Sequence, residues 1–114
     1  MQYLLLIYDD ESGWEKKTEA KKNAELGEYM ALGKAFEKQI QGGNALQPVR
    51  TATTVRIRDG KTLTTDGPFA ETREQLGGYY LIEAKDLDEA ITIAKAIPAV
   101  REGSIEIWPV MHYG

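Results

Sequence analysis

The chain has no cysteine, which removes disulfides, thiol nucleophiles and thiolate metal ligands together. It has one histidine, His112, so the acidic pair Glu71 and Glu74 lacks the inward-facing imidazoles that a transition-metal site requires, and no metal is expected. There is no excess of basic charge either. Lys and Arg number 14 against 18 Asp and Glu, a net charge of −4, and no basic stripe interleaves with aromatics, which argues against direct nucleic-acid binding. The cluster Lys16, Lys17, Lys21, Lys22 is broken by Glu15, Glu19 and Glu25 at helical spacing and reads as a solvated helix face. The apolar run from Tyr3 to Tyr8 is far too short to span a bilayer and has neither a preceding basic segment nor a cleavage site. No membrane association is expected, and a cytoplasmic location fits. Gly77-Gly78 sits in no phosphate-loop or dinucleotide fingerprint, so no organic cofactor is expected.

What is present is an ordinary globular composition, 42% hydrophobic and 28% charged over 114 residues, enough for a single domain spanning residues 1–114. Tyr3 to Tyr8 is apolar at every position and stops at Asp9-Asp10, as a strand buried on both faces would. Ser12-Gly13-Trp14-Glu15 has the form of a capping box, and Thr18 offers a second helix start. Leu26, Met30, Gly33, Phe36 and Ile40 recur at helical spacing and predict an inward stripe on a helix ending at Gly42-Gly43. Asn44 to Arg50, with Pro48, predicts a short or bent edge segment. Thr54 to Arg58, Asp59-Gly60 and Lys61 to Thr65 form a hairpin pattern. Tyr79 to Ile82 is a second two-faced strand. Asp86 and Glu89 cap a helix carrying Leu87, Ala90, Ile91, Ala94 and Ile97 inward, and Ser104 to Val110 is the last strand.

This order predicts an α+β fold of the ferredoxin-like kind: a split βαβ antiparallel sheet with two helices on one face and an inserted β-hairpin. Two helices cover only one face, yet two strands are apolar on both. The uncovered face is expected to pack on a second copy, giving a homodimer with Leu4, Leu6 or Tyr8 and Trp108 near the seam.

The segment from Asp66-Gly67-Pro68-Phe69 through Arg73 to Gly77-Gly78-Tyr79-Tyr80 resembles the signature of the DGPF subgroup of the YCII-related family. Tyr3 to Tyr8, Leu46-Gln47-Pro48 and Ala52 to Arg56 are similar to that family too, so the resemblance covers nearly the whole chain. It implies a dimeric α/β barrel. Some YCII-like proteins are thought to use a His-Asp pair with the histidine on the first helix, where this sequence has Tyr29, Met30 and Gly33. The resemblance also implies an association with extracytoplasmic-function sigma factors.

Among the residues, Asp66 is the candidate catalytic group, a carboxylate held before a Gly-Pro turn and able to serve as general base; a self-capping turn is its structural alternative. Tyr8 and Tyr80 sit on apolar strands and need partners for their hydroxyls, while Arg50 and Arg73 offer planar donor sets to an anionic ligand. These residues favour binding of a small molecule near Asp66, with cofactor-free proton-transfer, isomerase or lyase chemistry. The alternative is a non-catalytic ligand-binding or regulatory dimer.

Overall fold

The computed structural model describes residues 1–113. A first strand, β1 (Gln2–Asp9), leads through a short helix, α1 (Glu11–Glu15), into α2 (Glu19–Ala35) and the strand β2 (Ile40–Ala45). A hairpin of β3 (Thr53–Arg58) and β4 (Lys61–Asp66) follows, then β5 (Gln75–Glu83), α3 (Leu87–Lys95) and β6 (Ser104–Pro109). Four strands form one antiparallel sheet in the order β2-β5-β1-β6, and the hairpin stands apart as a sheet of its own. Antiparallel neighbours β5 and β6 flank β1 at the centre, the ferredoxin-like arrangement predicted from the pattern of elements.

Alternation along β1 divides its side chains cleanly. Tyr3, Leu5 and Ile7 are buried with Ile82, Ala90, Ile93, Ala94 and Ile97 in one core beneath the helices. Leu4 and Leu6 point to the other face, where Leu4 lies opposite Leu81 on one side and Trp108 on the other. Trp108 is 54% exposed, so this face carries an apolar surface with no covering element among the described residues.

Helix boundaries follow local hydrogen bonding. Asp10 caps α1 by accepting from the backbone N–H of Ser12, and Thr18 caps α2 by accepting from Lys21; both start signals are used, with Asp10 rather than Ser12 as the first cap. Asp86 caps α3 by accepting from the N–H of Glu89, while the Glu89 carboxylate reaches back past the cap to the N–H of Lys85, a variant of the capping box.

Two expected stripes differ from those observed. On α2, Leu26 and Met30 are exposed, and the inward line is Glu25, Tyr29, Leu32 and Phe36. An apolar-only reading missed it because Glu25 is carried inside on the ammonium of Lys17, 2.7 Å away. On α3, Ile93 takes an inward place, and Leu87 and Ile91 lie outside. Nor does α2 reach Gly42-Gly43: it ends at Ala35, and the glycines belong to edge strand β2. A side chain at Gly43 would meet the carbonyl oxygen of Tyr79 at 2.6 Å and the Tyr80 ring at 2.7 Å, so glycine here admits close strand pairing rather than ending a helix. Pro48 lies past this strand, before a single 3₁₀ turn at Val49–Thr51.

The hairpin turns through Asp59 and Gly60, both at positive φ (53° and 75°), the geometry that matches the twist of paired strands. It projects as an arm. The radius of gyration is 16.2 Å, against about 13 Å for a compact chain of this length. At the opposite end of the chain, Gly103 is pressed so closely on β1 that an added Cβ would stand 2.0 Å from the carbonyl oxygen of Tyr8.

Candidate functional site

Where the C-terminal end of β1 passes under α1 and α2, the sheet opens into a cleft of about 670 Å³. Ile7 and Asp9 of β1 form its floor with Gly78 and Tyr80 of β5; Trp14, Glu25, Leu26 and Tyr29 close it from the helices, and Asn44 to Leu46 form its rim. Volume and lining match a small-molecule site, mostly apolar with a few convergent polar groups.

Several contacts fix its walls. The Glu11 carboxylate accepts from the N–H of Val49 at 2.7 Å, and the Glu11 N–H donates to the Gln75 side chain at 3.0 Å, which ties α1 to the 3₁₀ turn and to the start of β5. The carbonyl of Asn44 would lie 3.0 Å from a Cβ at Gly78, so the lack of a side chain keeps the floor low there. The Lys17 ammonium bridges Glu25 and Glu102 at 2.7 and 3.2 Å, joining α2 to the segment before β6.

The electrostatics single out three side chains. Asp9 binds its proton more tightly than an ordinary carboxyl: burial is the main cause, reinforced by Glu102 and Glu25 and opposed by the Asp10 N–H and by Lys17. Burial raises the Tyr29 hydroxyl to about 12, assisted by Glu25, Tyr80 and Asp9 and opposed by a backbone hydrogen bond at Ala99. Burial also raises Tyr80. Both phenols, neutral at ordinary pH, thus share the lining with a partly desolvated carboxylate. Such a cluster of perturbed groups in a cleft is the usual mark of a functional site.

Of the residues singled out in the sequence, Tyr80 lies in this cleft. Tyr8 and Arg73 meet elsewhere, with Glu74, Ser104 and Glu106 in a more open depression of about 650 Å³ on the opposite side of the sheet. Strand alternation separates the two tyrosines: Tyr80 pairs with the core residue Leu5, whereas Tyr8 points away from the helices. Arg50 sits exposed in the 3₁₀ turn, and Asp66 ends β4 on the exposed arm. Neither lines either of these two clefts. His112 follows β6 and is exposed. Asp9, Glu25 and Trp14 were missed. Asp9 was read only as a strand stop, although the alternation Tyr3, Leu5, Ile7, Asp9 already sets it on the helix side. Among the described residues, no group of three or more His, Cys, Asp or Glu side chains is placed to hold a metal ion, and no helix is long and apolar enough to cross a membrane.

Fold and cleft together define an α+β protein of the ferredoxin-like class with a pocket between sheet and helices. The chain belongs to the YCII-related domain family, which matches residues 1–113. It is 35% identical over 123 residues to the uncharacterised protein R00369 of Rhizobium meliloti strain 1021, covering 99% of this chain and 94% of that one. Among solved structures it is similar to 5-chloro-2-hydroxyhydroquinone dehydrochlorinase of Burkholderia phenoliruptrix AC1100, in complex with 2,5-dihydroxybenzoquinone. That likeness has a TM-score of 0.60 and covers 99% of this chain and 96% of that one at 12% identity, which establishes a shared fold.

Proposed function

We propose that the chain binds a small organic molecule in the cleft at the end of β1 and acts on it by cofactor-free proton transfer. One observation carries this reading: Asp9, with a raised proton affinity, shares an apolar-walled cavity with two hydroxyls that stay protonated. A carboxylate in that setting is a stronger base than in water. It takes a proton from a bound carbon or oxygen acid, the Tyr29 and Tyr80 hydroxyls donate to the charge that develops, and return of the proton at a neighbouring position completes an isomerisation. The dehydrochlorinase that shares the fold is itself a small-molecule enzyme, which supports the class of reaction and not the substrate.

A non-catalytic binding or regulatory dimer is the second reading, favoured by the lack of the first-helix histidine that the family resemblance implies, where this chain has Tyr29, Met30 and Gly33. In either reading the protein works as a homodimer, with the open sheet face around Leu4 and Trp108 covered by a second copy. Asp66, exposed on the arm, enters the site only from such a partner.

A fragment screen by NMR on ¹⁵N-labelled protein tests this. Ligands should shift amides of Asp9, Tyr29 and Tyr80, and Asp9→Asn should keep the fold while losing turnover of any ligand that is transformed. Asp66→Asn should weaken binding only at concentrations where the dimer persists. If no fragment reaches these amides, the cleft is not a binding site.

A further inference from the structure

Arginines on the sequence suggest an anionic ligand, but the cleft is lined by no lysine, arginine or histidine. Five of its side chains are carboxylic acids: Asp9, Asp10, Glu11, Glu15 and Glu25. Asp10 caps α1, Glu11 accepts from the N–H of Val49 and Glu25 pairs with Lys17, while Asp9 accepts the Asp10 N–H on Oδ1 alone and keeps its second oxygen for a ligand. Among the described residues, Asp9 and Glu15 have no cationic partner within ion-pairing distance, and Asp9 is the one held in a partly desolvated position.

The walls point the same way. Aromatic surface in this wall does attract ammonium groups, since Lys17 and Lys22 stand 5.4 and 5.6 Å from the Trp14 centroid, but they already occupy that ring and leave the tyrosine faces to a ligand. Tyr29 and Tyr80 add aromatic surface on the floor and side. An anion entering here would meet uncompensated negative charge at low dielectric with no donor beyond two phenols. An ammonium would meet an available carboxylate and aromatic faces.

We infer that the cleft selects organic cations: molecules with an aromatic or apolar body and one ammonium or amidinium group, the charge seated toward Asp9. This deepens the proposed binding function and rests on it. Discrimination comes as much from rejecting carboxylates and phosphates as from attracting amines.

Three probes of one shape and different charge test it: benzylammonium, benzyl alcohol and benzoate, titrated into ¹⁵N-labelled protein at pH 7 and low salt. Benzylammonium should bind most tightly, at least about tenfold ahead of benzoate, and should shift the Asp9, Tyr29 and Tyr80 amides. The preference of benzylammonium over benzoate should shrink with added salt and vanish in Asp9→Asn/Glu15→Gln. Benzoate binding at those amides as tightly as the amine overturns the inference and leaves the binding reading standing. Amine shifts confined to residues outside the cleft overturn it too. So does failure of all three probes, and the wider fragment screen then shows whether the binding reading falls with it.

Discussion

Two parts of this chain treat apolar side chains in opposite ways. In the four-stranded body, Leu5, Ile82, Ile93 and Ile97 are sealed between sheet and helices. In the projecting arm, Val55 and Ile57 stand 62% and 66% exposed on the face that also carries Asp66, and Phe69 beyond the arm is 80% exposed. The body is stabilised by burial within one chain. The arm has its turn geometry and its six cross-strand pairs but no layer beneath it, and an isolated two-stranded hairpin is marginal in water. Local chemistry alone can shape an element; keeping it ordered takes contacts, which the proposed second copy would supply.

The contrast is broken or sharpened by mutation. Ile82→Ala should cost about 3 kcal/mol of unfolding free energy, because a fully buried side chain leaves a cavity between sheet and helices. Urea denaturation measures it, and a loss below about 1 kcal/mol would mean that the core repacks and the body is less tightly built than described. Val55→Ser with Ile57→Ser should instead leave monomer stability within about 0.5 kcal/mol, as surface changes do. Self-association, followed by analytical ultracentrifugation, should weaken about tenfold, the effect of losing about 1.4 kcal/mol of contact. An unchanged dimer would place the arm in solvent.

The smallest effect is electrostatic and lies in the cleft. Because Asp9 holds its proton more tightly folded than unfolded, the folded state carries the extra proton in the window above the ordinary value of 3.8. Its contribution to stability is complete below that value and is lost as pH rises through the raised one. Asp9→Asn removes this dependence. The stability of the variant relative to the parent should therefore rise between pH 4 and neutrality, measured as the difference in urea midpoints. A flat difference would show Asp9 to be as solvated as a surface carboxylate.

How much of this was legible in the sequence depends on the range of the forces involved. The first and last strands, the Asp59-Gly60 turn and the Asp86 cap are local, and each is found where the sequence predicts it, whereas β2 starts at Ile40, in what reads as the end of a helix. The inward side of α2 was not legible, since Glu25 belongs inside only because Lys17, eight residues earlier, comes back to meet it. The cleft was hidden for the same reason: Asp9, Tyr29 and Tyr80 are brought together by the pairing of β1 with β5 and the packing of α2, which leave no spacing to read. The family resemblance drew attention to Asp66, a residue whose segment is distinctive while its position in the single chain is peripheral.

The tight seat of Gly103 reaches further than its own backbone. Glu102, its neighbour, shares the Lys17 ammonium with Glu25, and both carboxylates raise the proton affinity of Asp9. A methyl group at Gly103 has no room against β1, so that strand and segment would have to part, carrying Glu102 with them. The acidity of the cleft is thus set in part by a residue with no side chain and no place in its lining. Even a glycine can act as a tuning element when the charge next to it is held at a fixed distance by a contact that admits nothing larger.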